Sequence, residues 1–349
     1  MWLAFVALGR YNFFMRKLLE QLERIASPRV LLVGDLMLDE FVYGDVERIS
    51  PEAPVPVLRV VRRDVRLGGA ANVANALATL GAKVECVGTI GDDANGKTMT
   101  RLLEECGATA NLQIDATRPT ITKSRMVGLA QHRHAQQILR VDEEDASPIS
   151  TDLAATISAT ITASLAGADV LAVEDYGKGL LCENTLPVWL SAAAAQGVLS
   201  VIDPYLTDDY RRYRGAGVIT PNRYEASHAS GIDIQTCDDA DRAGHLLLEQ
   251  TQGRAVVVTL DKEGAYVVED GRKGVHVPTR ERKVYDVTGA GDVVMAMLSL
   301  ALASGANLPE AVALSNVAGG LEVERFGVVP IRRDEIEAEL REHMGDYDE

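Results

Sequence analysis

Two glycines around an alanine, closed by an aspartate, lead straight into an apolar run in "YDVTGAGDVVMAML" (285–298). Gly289, Ala290 and Gly291 carry almost no side chain, so backbone N–H groups there can approach a ligand closely. Val293 to Leu302 is almost wholly apolar and predicts a buried helix. Asp292 then stands in the first turn of that helix, where unpaired N–H groups and the positive dipole end favour an anion. An acid held there beside a bound phosphate is poised to take a proton. A second candidate, "TPNRYEA", sets Asn222 and Glu225 three apart at another helix start, on one face. The pair could hold waters of a hydrated Mg²⁺ ion, or it could be a capping box with Asn222 as N-cap.

Such groups need a scaffold that brings them to one edge. Strand-like runs at 29–35, 83–91, 169–175, 198–203, 217–220 and 254–260 are separated by helical patterns, beginning with the small-residue segment "GGAANVANALATLG" (68–81). This alternation predicts a parallel sheet with helices on both faces and ligands outside the strands' carboxyl ends. Two segments break the rhythm: 41–69, rich in alternating β-branched residues and prolines, and 119–144. Together they read as a small projecting β-structure, a lid, whose open edges and apolar face predict pairing with a second copy of the chain.

The expected organisation is an N-terminal extension and helix over 1–27, one α/β domain over 28–340 with lid segments at about 41–67 and 119–142, and an acidic tail over 341–349. The first residues, "MWLAFVAL", lack a basic leader and a cleavage site and are too short to span a bilayer. Met15 is the expected natural start, with residues 1–14 a dispensable extension and Met15 to Ile25 an amphipathic helix on the domain edge.

Net charge is −16, from 35 basic and 51 acidic residues, which argues against nucleic-acid and acidic-membrane partners. Four scattered cysteines without a C-x-x-C pair fit reduced thiols in a cytoplasmic protein. The "HRH" at 132–134 offers poor metal spacing and no third ligand. No P-loop or nucleophile-elbow motif occurs, and the glycine-rich turns give no dinucleotide fingerprint.

Taken in order, "GGAANVA", "NRYE" and "VTGAGD" resemble the ribokinase-like (PfkB-type) carbohydrate kinases over about residues 28 to 335. Within that family, "GDLMLDEFVYGDVERISPEAPVPV", "PTITKSR", "QQILRVD" and "VYDVTGAGD" are most similar to the kinases of D-glycero-β-D-manno-heptose 7-phosphate. Those are fused to a nucleotidyltransferase in many bacteria; this sequence has no H-x-G-H-type motif and is expected to hold the kinase part alone.

The resemblance implies a three-layer α/β/α sandwich with a mostly parallel sheet and a β lid. It implies ATP and Mg²⁺, a homodimer through the lid, and transfer of the γ-phosphoryl to the anomeric hydroxyl. Asp292 would be the base, and the N–H groups of Gly289, Ala290 and Gly291 an anion hole. Asn222 and Glu225 would manage Mg²⁺ through water, with Thr259, Gly264 and Asn316 in the nucleotide pocket. Asp39, Gly68, Gly69 and Asn72 would grip the sugar, and Lys123, Arg125, Arg140 and Lys178 would read its distal phosphate. Asp286 would ligate a monovalent cation such as K⁺, or close a structural turn.

Two departures stand out. Val293 follows GAGD where a threonine is usual, and Tyr205 replaces a lysine after Asp203-Pro204, with Lys178 as a candidate substitute. They leave room for two alternatives: a kinase of the same fold for another sugar, or a sugar- or nucleotide-binding regulator with weakened catalysis.

Overall fold

A computed structural model describes residues 2–130, 133–325 and 327–345. Short β-branched runs form the strands of the core: β1 (Arg29–Gly34), then, after the hairpin β2 (Leu36–Ile49) and β3 (Pro56–Gly69), β4 (Lys83–Ile90) and β5 (Thr109–Ile114). A second hairpin, β6 (Thr122–Ala130) and β7 (Arg133–Glu143), precedes β8 (Val170–Glu174), β9 (Leu199–Asp203), β10 (Val218–Ile219) and β11 (Ala255–Thr259). The last strands are β12 (Ala265–Glu269) and β13 (Val275–Val277).

Among the described residues the large sheet runs β13-β12-β11-β10-β9-β8-β1-β4-β5. From β5 to β11 every pairing is parallel, and β12 and β13 add an antiparallel edge. Val30 to Val33 and all of β8 are buried on both faces, as a parallel strand covered by helices requires. The two hairpins form a separate sheet, β3-β2-β6-β7, in which β2 and β6 pair in parallel and the outer pairings are antiparallel.

Helices fill both outer layers. On one face lie α1 (Trp2–Arg24), α2 (Ala70–Thr79) and α3 (Ala94–Glu105). The other face carries α4 (Thr151–Leu165), α5 (Leu186–Ala195), α6 (Arg223–Ser230) and α7 (Cys237–Thr251). The chain then returns to the first face with α8 (Ala290–Ala303), α9 (Leu308–Val323) and α10 (Arg333–Gly345). This is the three-layer α/β/α fold with an additional small sheet that the sequence pattern predicts.

Three details differ from the sequence reading. The first helix begins at Trp2 rather than Met15; residues 2–14 hold no proline to stop it, and Leu3, Ala4, Ala7 and Leu8 are good helix formers. Leu18, Leu22 and Ile25 of this segment join the core beside α9 and α10. The second difference is the small sheet, which starts at Leu36, immediately after β1 ends. Thirdly, α10 carries helix into the expected acidic tail as far as Gly345; residues 346–349 lie outside the described residues, as does His132 of the "HRH" stretch.

Gly68 and Gly69 end β3 and admit α2. A Cβ on Gly68 would stand 2.7 Å from Asp39 Oδ2. Gly69 has φ 54°, and its Cβ would meet Met37 Cε at 2.7 Å and the Asp35 carbonyl at 2.8 Å. Conformation and space thus both demand glycine here. Gly69→Ala is expected to lower stability by at least about 1–2 kcal/mol, measured by urea unfolding, since a β-carbon is disfavoured in the left-handed region even without a clash.

Candidate active site

Parallel strands in register deliver their last residues to one line. Gly34 pairs with Glu174, and Glu174 with Asp203, so Asp35, Glu174, Asp175 and Asp203 crowd one edge of the sheet. Facing this edge is the start of α8, where Gly289 (φ 93°) turns the chain into the helix and the Ala290 N–H donates to the Val287 carbonyl at 3.3 Å. Gly291 is exposed, whereas Asp292 beside it is buried.

Asp292 is held at both oxygens. Asn72, in the first turn of α2, donates from Nδ2 to Oδ2 at 2.6 Å. The Tyr176 hydroxyl donates to Oδ1 at 3.2 Å. Asn72, read from sequence as a sugar contact, here grips the aspartate. Alanines 70, 71 and 74 of α2 and Ala296 of α8 are small enough to let the two helices approach and make this contact. Burial lifts Asp292 to about 6, while the hydrogen bonds from Asn72 and Tyr176 pull it down.

Among the described residues Asp35, Glu174 and Asp203 make no ion pair, whereas Asp175 is matched by Arg212 at 3.0 Å. Burial, then the charges of Asp203 and Asp292, hold Glu174 well above the usual carboxylate range, and its Oε2 is buried without a hydrogen-bond partner. Asp203 is raised well above its ordinary value by burial and then by Glu225; Thr220 Oγ1 donates to it at 3.1 Å. Burial, followed by Asp175, brings Asp35 to about 6. Among the described residues no three His, Cys, Asp or Glu side chains sit closely enough to hold a metal ion directly.

On α6 the capping box is real. Asn222 Oδ1 accepts from the Glu225 N–H, and Glu225 Oε2 accepts from the Asn222 N–H, each at 2.9 Å. The same box leaves the Glu225 carboxyl half-buried near Glu174 and Asp203, where burial raises its pKa. Of the two sequence readings of this motif, the capping box is the one present here. Thr259 bridges to Asn222, while Gly264 and Asn316 meet at the end of β13. Asn316 Nδ2 donates to the Val277 carbonyl at 3.0 Å, and a Cβ on Gly264 would stand 2.3 Å from that same oxygen.

The small sheet presents one charged face. Register pairs Asp39 with Lys123 and Arg66, and Phe41 with Arg125, so these side chains share a side. Three of the four cations read as phosphate contacts are already matched to acids. Arg125 binds Asp39 at 2.5 Å, Arg140 binds Asp142 at 2.9 Å through two nitrogens, and Lys178 Nζ binds Glu144 at 2.7 Å. Lys123 makes no ion pair among the described residues; burial lowers its pKa, and its ammonium stands 5.6 Å from the centroid of the Tyr176 ring.

The departures noted in sequence have structural counterparts. Val293 is core. Tyr205 lies beneath the Arg212 guanidinium at 4.5 Å, and its hydroxyl accepts from Arg212 at 2.8 Å. Arg212 in turn donates to Asp175 at 3.0 Å. Lys178 points to Glu144 instead of replacing the missing lysine.

Sequence reasoning missed Tyr176, Glu174, Asp203 and Asp35. A signal was present: "LLVGD", "LAVED" and "LSVID" are three apolar runs that each end in acid, the mark of parallel strands converging on one polar edge. Glu322, also missed, carries no such mark. It is fully buried in α9 with neither oxygen hydrogen-bonded, 3.3 Å from where a Cβ on Gly289 would be, and burial followed by Asp286 raises it to about 8.

A family model described as "pfkB family carbohydrate kinase" matches residues 27–333, from just before β1 to the start of α10. The chain belongs to the pfkB family of carbohydrate kinases. With it, the chain joins the phosphotransferases that act on a sugar hydroxyl. It is 41% identical over 323 residues to the "Bifunctional protein HldE" of Pelobacter propionicus, and 41% identical over 320 residues to that of Paramagnetospirillum magneticum. These matches cover 92% and 91% of the chain but 65% and 64% of the relatives, so the chain spans about two thirds of their length or slightly less. Among solved structures, phosphofructokinase-2 from Escherichia coli in complex with potassium aligns at TM-score 0.74 with 21% identity, covering 92% of this chain and 100% of that one. Arabidopsis thaliana ribokinase complexed with ribose and ATP aligns at TM-score 0.71 with 21% identity, covering 90% and 99%. These two likenesses establish the fold.

Glu322 makes a prediction about stability and pH. Its folded pKa lies above the ordinary 4.5, so the folded state holds a proton that the unfolded chain releases. That contribution is full below about 4.5 and is lost as pH rises through about 8. Glu322→Gln should therefore gain thermal stability relative to the parent as pH rises from 5 to 8.5, by roughly 2–4 °C or more at the upper end. Calorimetry at both pH values checks it; an equal difference at each pH contradicts it.

Proposed function

We propose that this chain transfers the γ-phosphoryl of ATP to the anomeric hydroxyl of D-glycero-β-D-manno-heptose 7-phosphate. The product, a 1,7-bisphosphate, would feed synthesis of the ADP-heptose used in lipopolysaccharide core. The observation that carries the reading is Asp292: a buried carboxylate with both oxygens held, in the first turn of α8 beside exposed glycine backbone. The heptose assignment is supported by about 40% identity to the HldE proteins along almost the whole chain, and by Lys123, a half-buried cation on the substrate side without an acid partner in the described structure.

In the proposed step Asp292 accepts the proton of the anomeric hydroxyl as its oxygen bonds to the γ-phosphorus. The bond from that phosphorus to the β-phosphate oxygen breaks, leaving ADP. N–H groups of Gly289, Ala290 and Gly291 hold the charge on the transferring group, that of Ala290 by exchanging its present Val287 carbonyl. Thr259, Gly264 and Asn316 line the nucleotide side. Asp39, Gly68, Gly69 and Asn72 form the sugar side, where Asn72 works through Asp292; Lys123 reads the distal phosphate, with Arg125, Arg140 and Lys178 available to it only by exchanging their present acids.

The unpaired Glu174 carboxylate beside Asp203 and Glu225 is a field that suits a cation. When bound there with the nucleotide, Mg²⁺ held through water by Asn222 and Glu225 would neutralise phosphate charge. Asp286 fits a structural turn better than a monovalent-cation ligand, because its oxygens already accept the Thr288 and Gly327 N–H groups at 3.0 and 3.1 Å. No step runs through such an ion. The enzyme would work in the cytoplasm, where ATP is supplied, as a homodimer through the small sheet, whose Val60, Val61, Ile138, Leu139 and Val141 are exposed.

The Tyr205–Arg212 pairing favours a second reading, a sugar or nucleotide binder with weakened catalysis, since it ties up a cation beside the end of β8. Another sugar as acceptor is the third. An ADP-release assay with Mg·ATP against heptose 7-phosphate, fructose 6-phosphate, ribose and no sugar separates them. Turnover selective for heptose 7-phosphate is expected, and binding without ADP release would favour the regulator.

Two further outcomes follow from Asp292. Asp292→Asn should reduce kcat at least about 100-fold with an unchanged circular-dichroism spectrum, as loss of a general base does. In the parent, kcat/KM should fall as pH drops through about 6, because the protonated carboxyl cannot accept a proton. A flat profile between pH 5 and 7 would contradict the assignment.

A further inference from the structure

Tyr176 occupies a junction. Its backbone N–H donates to Asp35 Oδ2 at 3.0 Å, and the Lys178 N–H donates to the same oxygen at 2.9 Å. Gly177 (φ 66°) and Gly179 (φ 89°) turn the chain on either side of Lys178. The main chain at this point is thus pinned to the end of β1, which leaves the side chain little choice of direction. Its hydroxyl reaches Asp292 Oδ1 at 3.2 Å, and its ring lies under the Lys123 ammonium at 5.6 Å. One residue therefore touches the proposed base with its polar tip and faces Lys123, a small-sheet cation that makes no ion pair among the described residues, with its ring.

We infer that Tyr176 is a positioning residue: its O–H and the Asn72 amide together fix the plane of the Asp292 carboxylate and turn a free lone pair toward the acceptor hydroxyl, while its ring seats Lys123 on the substrate side. The inference rests on Asp292 being the base. The nearby negative charge of Asp292 and then burial hold the phenol well above its usual pKa, so it stays protonated and donates at every working pH. It acts on the carboxylate without exchanging a proton with it. Asp292 is also faced by Asp39 from β2, Lys123 from β6, Glu174 and Asp203 from the ends of β8 and β9, and Glu322 from α9. None of these changes when only the Tyr176 oxygen is removed.

The test is to follow the Asp292 side-chain carbon by NMR in ligand-free, aspartate-labelled protein, assigned by its loss in Asp292→Asn. Parent, Tyr176→Phe and a variant with 3-fluorotyrosine at 176 are titrated in parallel. Losing the donor should raise the Asp292 midpoint, and the more acidic fluorophenol, a stronger donor, should lower it. In steady state with heptose 7-phosphate, Tyr176→Phe should lose roughly ten- to a hundredfold in kcat, as misplacement of a catalytic group does, with KM for the sugar within about threefold because the ring remains. Tyr176→Leu, lacking the ring as well, should also raise that KM.

A midpoint unchanged in both tyrosine variants overturns the inference, and the fluorinated residue decides the matter even if Tyr176→Phe does not fold. A Tyr176→Phe enzyme with parental kcat overturns it as well. If Asp292→Asn is silent while Tyr176→Phe matches the parent, Tyr176 alone is misassigned. If Asp292→Asn keeps its turnover, the base and its positioning residue fall together.

Discussion

Everything at this site depends on a helix end meeting a row of carboxylates. Three parallel strands in register bring Asp35, Glu174 and Asp203 to one line, and α8 begins opposite them. The positive end of α8 lies among acids that have few cations of their own, and that imbalance explains why burial keeps their pKa values high. Asp292 shares the field, but unlike Glu174 it has two donors, which hold it near 6 rather than far above. The protein therefore separates its acids by hydrogen bonding. Glu174, with an oxygen that no donor reaches, is held toward its protonated form or waits for a cation, and Asp292 stays near the pH at which it can exchange a proton.

The small sheet meets the core at two places that matter to this balance. Strand β2 continues from β1 through Asp35 alone, and β3 passes into α2 through Gly68 and Gly69. Asn72 lies three residues beyond Gly69, so the connection that carries the sheet also sets one of the two donors to Asp292. On the sheet face, acids and bases are paired diagonally between strands, as Asp39 with Arg125, or two positions apart on one strand, as Asp142 with Arg140 and Asp64 with Arg66. An anionic ligand entering there competes with carboxylates for Arg125, Arg140 and Arg66 but not for Lys123.

Much of this was legible in the sequence. Apolar runs of strand length, alternating with helical patterns, led to the parallel sheet, and the proline-rich break at 41–69 led to the separate small sheet. Asp292 was legible because glycines before an apolar helix leave few other roles for an acid. Partners across the chain were not. The Asn72–Asp292 contact spans 220 positions and Tyr176–Asp292 spans 116, distances over which neither spacing nor periodicity carries information. Cation pairing failed for the same reason: Arg125 and Lys178 look alike as free bases until the fold sets Asp39 and Glu144 beside them. Glu322 was hidden differently, since a lone acid in an otherwise apolar helix gives no sign of whether it faces water.

The valines and leucine exposed on the small sheet sit in a chain of net charge −16. Two copies joined through that face would gain apolar contact at short range while their like charges repel at long range, and only the second force is screened by electrolyte. The balance between single chains and such pairs would then be governed by ionic strength: dilute buffer would keep the chains apart, and added salt would let the same unaltered surface draw them together.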